Sequence, residues 1–310
     1  WSFRPSLLVF DLSGRGLAEF YSACLAIGSI GRPVWLVVHD APELVGPPLL
    51  LKGLDRRGGR RLGMYLSRTV GARLETWMMG RADTVFALSG LGAAALRERT
   101  GGRVRVRQLP IPIEDQSESD KQPIVYCPSS VSAVDVVPVV RALASASSSW
   151  TLRLGNMDGP EQAAVEAAAD RAGILDRLEF IGRVDEVRLD ESYEDAAVVV
   201  RNRGPGSSPE NWAAVSGPVI SAMAAGCAVI ATDARGSSAC LEAAGGVDLG
   251  DRPDDLERDL GRLLGDEGER ARLGEAGRRH VRGFHTPERV ARHLADAWAH
   301  TAERLSPRAT

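Results

Sequence analysis

WTLRLGNMDGPEQAAVEAAADRAGILDRLEFIGRVDE, residues 150–186, reads as one strand–helix–strand unit. Trp150–Leu154 and Leu178–Ile181 are short apolar runs, and Glu161–Ala172 between them carries a helical pattern. Many such runs along the chain are rich in Val, Ile and Leu with little polar alternation, which suits strands covered on both faces, as in a parallel sheet. The same rhythm continues in both directions. Further strands are expected at Leu7–Leu12, Val34–Val38, Thr84–Leu88, Val104–Leu109, Ile124–Cys127, Val198–Val200 and Ala228–Ala231. Helices are expected at Gly92–Thr100, Val137–Ser145, Pro218–Ala225 and Asp254–Leu264, and at Pro287–Leu305 with Thr286 as N-cap. Strand, helix, strand repetition predicts an α/β fold of parallel sheets flanked by helices.

The chain's 310 residues suit two domains at ~150 residues each. The polar stretch EDQSESDKQP, 114–123, lacks apolar periodicity and separates two βα series, as an interdomain linker does. The expected division is therefore 1–117, 118–285 and a C-terminal helix, 286–310, crossing back to the first domain. Composition excludes several classes: 44% hydrophobic and 25% charged residues fit neither a disordered chain nor a collagen-like one. A formal charge of −3 gives no basic field for nucleic acid. Cys24, Cys127, Cys227 and Cys240 form no CxxC pair, their spacing suits no metal site, and they read as buried thiols of a reducing cytoplasm. No apolar run reaches the ~20 residues of a membrane span.

Three segments resemble glycosyltransferases of the GT-B type, with two Rossmann-like domains, and within them the retaining family 4. They are ADTVFALSGLGAAALRERTGGRVRVRQLPIPIE (82–114), the opening segment, and the stretch from Pro218 to Phe284 with AMAAGCAVIATDARG and RARLGEAGRRHVRGF. The resemblance covers almost the whole chain. It implies a metal-independent transferase without a cofactor, using a nucleotide-diphosphate-sugar as co-substrate. It also implies that Leu7–Leu12 corresponds to a mid-domain strand, so that roughly two βα units of about 30 residues, with the family's glycine-rich loop, have no counterpart in the first domain.

The transfer requires a held diphosphate, a held nucleotide and an aligned acceptor. On the donor side, the family's Gly-Arg and Lys are replaced by CPSSVSAVDVV, 127–137, leaving Ser129 and Ser130 as hydroxyl donors near a helix start. The family's two glutamates fall on Ala213 and Ser221 in this register, a degenerate motif. Ser216 and Gly217 offer backbone N–H groups at the Pro218 helix start, and Arg201 and Arg203 stand in for the missing cations. Gly155, Arg183 and Val184 fall where the family holds the nucleotide. On the acceptor side, His39 follows a strand, as a family position near the reacting sugar does, and is the catalytic candidate. Asp40, Glu43 and Arg15 lie on the same rim and are expected to bind the acceptor. Basic residues from Lys52 to Arg73, interleaved with aromatics as far as Trp77, suit either a solvated helix face or peripheral contact with an anionic inner membrane. The alternative function is a non-catalytic GT-B homologue that binds sugar or nucleotide, or supports a partner transferase. A hydrolase or epimerase would share the scaffold. An NAD-dependent enzyme is disfavoured, because no GxGxxG follows a strand with an acid beyond it.

Overall fold

The computed structural model describes residues 7–12, 33–38, 72–114, 116, 119–128, 132–146, 149–182, 191–202, 216–232, 238–244, 246–250 and 255–305. They form two compact units. The first holds the described residues up to Ile111 together with Glu288 onward, and the second those from Pro112 to Pro287. Each unit is built on a parallel sheet flanked by helices, the α/β class expected from the apolar runs.

In the first unit the strands β1 (Leu8–Leu12), β2 (Val34–Val38), β3 (Thr84–Ala87) and β4 (Arg105–Gln108) lie in chain order, every neighbouring pair parallel. β2 explains why such runs do not alternate. Val34, Leu36 and Val38 pack with Met78 and Met79 of α1 (Ala72–Met79) and with Ala93 and Leu96 of α2 (Gly90–Arg99). Trp35 and Val37 point to the opposite face, which also has a cover. Neither face tolerates a polar residue. α2 starts where Ser89 Oγ accepts the Gly92 N–H at 2.8 Å, an N-cap contact.

The second unit carries β5 (Gln122–Cys127), β6 (Thr151–Gly155), β7 (Leu178–Gly182), β8 (Ala196–Arg201), β9 (Ala228–Thr232) and β10 (Val247–Gly250). Their spatial order is β10-β9-β8-β5-β6-β7, and all pairs are parallel. The helices of this unit are α3 (Ala133–Ala144), α4 (Gly159–Arg171), α5 (Gly217–Ala224), α6 (Ser238–Ala244), α7 (Leu256–Gly265) and α8 (Glu267–Phe284). α9 (Pro287–Leu305) then belongs, from Glu288 on, to the first unit. Leu256, Leu260, Leu263 and Leu264 give α7 one apolar stripe, and α7 packs on α3.

The structure departs from the sequence reading in several places. α3 starts at Ala133, four residues before the expected Val137, and Pro138 lies inside it. Pro138 removes the hydrogen bond to the Val134 carbonyl, and Val134 sits on the exposed face, where that loss matters least. β5 begins at Gln122, within the expected linker. Pro123 is tolerated there because the β5–β8 register is interrupted between Gln122 and Val125. β10 was not expected at all: Val247-Asp-Leu-Gly has only two strongly apolar residues and is recruited by pairing with β9. α1 was not set out as an element either.

Candidate functional site

The strand order of the second sheet reverses at β5: β6 and β7 extend to one side of it, and β8, β9 and β10 to the other. Because every pair is parallel, all carboxyl ends lie along one edge. The crevice outside such a switch point is where open α/β sheets bind ligands. Cys127 closes β5 there and Arg201 closes β8.

Asn202, directly after β8, ties the rim together. Its Nδ2 donates to the Asp135 carbonyl in the first turn of α3 at 2.7 Å. Its Oδ1 accepts from Thr232 Oγ1, at the end of β9, at 2.8 Å. One side chain therefore holds a helix start and two strand ends in register. Asn156 does the same on the other flank. It sits at φ 57°, the left-handed region that asparagine enters more readily than other side-chain-bearing residues. Its N–H donates to the Gly182 carbonyl at 2.7 Å, and its Nδ2 to the Pro128 carbonyl at 3.1 Å.

Gly155 is where the sequence reading put it, at the end of β6. A Cβ there would stand 3.0 Å from the Pro128 carbonyl oxygen and 3.2 Å from Tyr126 Oη, so close packing alone requires glycine. Arg201 is half-buried as the last residue of β8, paired in register with Ala231 of β9. Ser216 is the N-cap of α5, without a side-chain cap bond. Its carbonyl takes both the Val219 and the Ile220 N–H at 3.1 Å, and Pro218 has none to give. Among the described residues the Gly217 N–H, at the start of α5, has no backbone acceptor. Ser221 lies buried on the second turn.

The start of α3 lies next in sequence to the expected phosphate cradle. The Ala133 N–H donates to Glu161 Oε2 of α4 at 2.5 Å. A carboxylate from the chain itself therefore sits at a helix N-terminus that otherwise favours an exogenous anion. Lys121, one of two lysines in the chain, lies at the amino end of β5, away from this rim. It donates to the carbonyls of Tyr193 at 3.2 Å and Glu194, and burial holds its ammonium below the usual lysine range. Ser129, Ser130, Arg183, Val184 and Arg203 lie outside the described residues. So do Arg15, His39, Asp40 and Glu43 in the first unit, and residues 52–71 of the basic stretch. At its end, Trp77 is exposed, with the Arg81 guanidinium 4.6 Å from its ring centre.

Sequence reasoning singled out Gly155, Arg201, Ser216, Gly217 and Ser221 in this unit but missed Asn156, Glu161, Asn202 and Thr232. The available signal was position: both asparagines immediately follow an apolar strand. It also missed the grouping of Cys240 with His280 and His285, which cysteine spacing does not reveal.

Residues 154–296 match a family model described as glycosyl transferase-like. Among solved structures, the chain resembles sucrose-phosphate synthase from Thermosynechococcus elongatus. The two are 17% identical with a TM-score of 0.72, over 98% of this chain and 75% of that one. It also resembles HepE of Anabaena in complex with UDP, at 16% identity and a TM-score of 0.69, covering 95% and 78%. A third is WaaG, a glycosyltransferase involved in lipopolysaccharide biosynthesis, at 14% identity and a TM-score of 0.53, covering 89% and 95%. No curated protein is a significant match. These likenesses show the fold, that of the GT-B glycosyltransferases. No helix among the described residues is long and apolar enough to cross a membrane.

Proposed function

We propose that the chain is a glycosyltransferase that takes a sugar from a nucleotide-diphosphate-sugar, held in the second unit, and passes it to an acceptor with retention. The observation that carries this reading is the switch point of the second sheet. Its flanking strand ends from Gly155 to Thr232 fall inside the segment matching the glycosyl transferase-like model. In this reading the open Gly217 N–H and Arg201, with Arg203 beside it, receive the diphosphate. Ser129, Ser130, Ser216 and Ser221 line the same pocket, and Gly155, Arg183 and Val184 face the base. His39 acts on the reacting sugar, and Arg15, Asp40 and Glu43 orient the acceptor. Arginine and amide donors neutralise the leaving group, so no metal takes part in the transfer. The HepE structures contain UDP and UDP-glucose, which makes uridine nucleotides the first donors to test.

The test is a thermal-shift panel of UDP, GDP, ADP, CDP and dTDP, followed by product analysis with the sugar of whichever base binds. A nucleoside diphosphate at 100 times its dissociation constant should stabilise the fold by about 2.7 kcal/mol. Sugar found on an acceptor, in the donor's anomeric form and with no added divalent metal, supports the reading. Free sugar alone would make it a hydrolase.

The Glu161 carboxylate at the α3 start favours a second reading, a non-catalytic homologue that binds sugar or supports a partner transferase. In that case none of the five diphosphates shifts the unfolding transition.

A further inference from the structure

Cys240, His280 and His285 are distant in sequence but adjacent in the second unit. Their ligand atoms, one Sγ and two imidazole nitrogens, all lie within 4.8 Å of one another. Two helices bring them together. Cys240 is on α6, His280 is in the last two turns of α8, and His285 is the residue that caps α8. α8 packs on α6, so the group is a product of the fold and not of a local loop. The His280 and His285 rings are 5.7 Å apart, centre to centre.

An independent observation marks the group as incomplete. His280 Nε2 is buried and finds no hydrogen-bond partner among the described residues. A buried imidazole nitrogen left unsatisfied is destabilising unless something completes it. Cys240 is a buried free thiol.

We propose that Cys240, His280 and His285 bind a zinc ion, with water as its fourth ligand. One thiolate and two neutral imidazoles form a donor set that suits zinc over magnesium or calcium, which prefer oxygen. Tetrahedral bonds of the usual length place such ligand atoms about 3.3–3.6 Å apart, so the three need to close by roughly 1 Å. Binding releases the Cys240 proton to solvent and changes no oxidation state. The metal's role is structural: it fastens α6 to the end of α8. The His285 carbonyl there also accepts the Ile113 N–H at 2.8 Å, joining the two stretches where the chain enters and leaves this unit. The test reads metal binding and stability alone, so it does not depend on the transferase reading.

The experiment uses the full chain, untagged and stripped of metal, titrated with Zn2+ and separately with Co2+ as a spectroscopic probe. The expected result is a single tight site, a higher thermal midpoint with Zn2+, and a cobalt spectrum with tetrahedral d–d bands and thiolate-to-metal charge transfer. Cys240→Ser should abolish the charge-transfer band. His280→Gln should weaken Zn2+ at least about tenfold, the low end of what even an outer-shell loss costs. His280 is only half-buried, so this variant remains informative if Cys240→Ser fails to fold, and the metal-free midpoints show whether each variant is native. An octahedral cobalt spectrum, a charge-transfer band that survives Cys240→Ser, or equal Zn2+ affinity in wild type and His280→Gln would overturn the proposal. In the second case one of the other cysteines is the ligand.

Discussion

At the scale of single residues, the rim of the second sheet separates side chains that build the site from those placed to touch a ligand. Asn202 belongs to the first kind. Asn202→Ala removes its hydrogen bonds to the Asp135 carbonyl and from the Thr232 hydroxyl at once, and Thr232 is buried. The expected cost is about 1–3 kcal/mol of stability, read by chemical denaturation. Arg201 is proposed to belong to the second kind. If it receives a diphosphate, Arg201→Ala should weaken nucleoside-diphosphate affinity by about 1.5–3 kcal/mol while leaving nucleoside affinity unchanged. An equal loss for both ligands would show that the arginine acts through the fold. Sequence singled out Arg201 because a charge directly after an apolar strand stands out. It did not single out Asn202, since an asparagine after a strand reads as an ordinary turn residue until its two partners, far away in the chain, are known. Glu161 was hidden for a similar reason: an acid in a helix's first turn is expected there, and nothing local says that it reaches the start of another helix.

At the scale of elements, the close approach of α8 to the turn after α5 decides whether this half of the fold forms. α5 ends in a left-handed glycine, Gly226 at φ +78°, with the Cys227 N–H returning to the Ala222 carbonyl at 2.9 Å. Gly274 of α8 presses against the Gly226 carbonyl, and a Cβ at Gly277 would meet Met223 at 3.2 Å. Gly274→Ala therefore forces backbone against backbone. We expect a loss of about 2–3 kcal/mol despite the better helix propensity of alanine. Gly261→Ala in exposed α7, where a Cβ meets nothing, should instead stabilise by about 0.5–1 kcal/mol. A second expectation concerns alkaline pH. Burial pushes the Tyr126 phenol, edge-on to Tyr193, up to about 12. Below pH 10 the phenol is neutral in both states. Between 10 and 12 only the unfolded chain ionises, so stability falls with rising pH by about 2–3 kcal/mol. Tyr126→Phe should remove that part of the fall, as measured by urea unfolding at stepped pH. The glycines' role was not legible from spacing, because a helical Gly-x-x-Gly says nothing of what lies opposite. Of α8's neighbours, α5 was read as a helix over Pro218–Ala225, while α6 was not set out.

At the scale of the whole molecule, the apolar runs made the α/β class and the parallel sheets readable. A strand such as Val34–Val38, apolar at every position, has to be covered on both faces. The pattern names no element as the cover, because non-directional burial rewards any apolar surface that fits. In the first unit one cover comes from α1 and α2, next to the sheet in sequence, and the other from α9 at the far end of the chain. Ala297 is fully buried against Trp35 and Phe86, with Leu294 beside it. Trp35 and Phe86 meet edge to face at 5.4 Å, and Trp298 approaches Trp35 at 6.4 Å. One polar contact fixes the register of this packing: Trp35 Nε1 donates to Thr301 Oγ1 at 3.1 Å, and that hydroxyl donates to the Ala297 carbonyl at 3.0 Å. Thr301→Val keeps the shape and the apolar contact but leaves the indole N–H buried without a partner. The expected cost is about 1–3 kcal/mol, confined to the unfolding transition of the first unit. Trp35→Phe in the same background removes the orphaned N–H, so the double variant should lose less than the two single losses added together. Strict additivity in that cycle would mean that α9 is held by its apolar stripe alone.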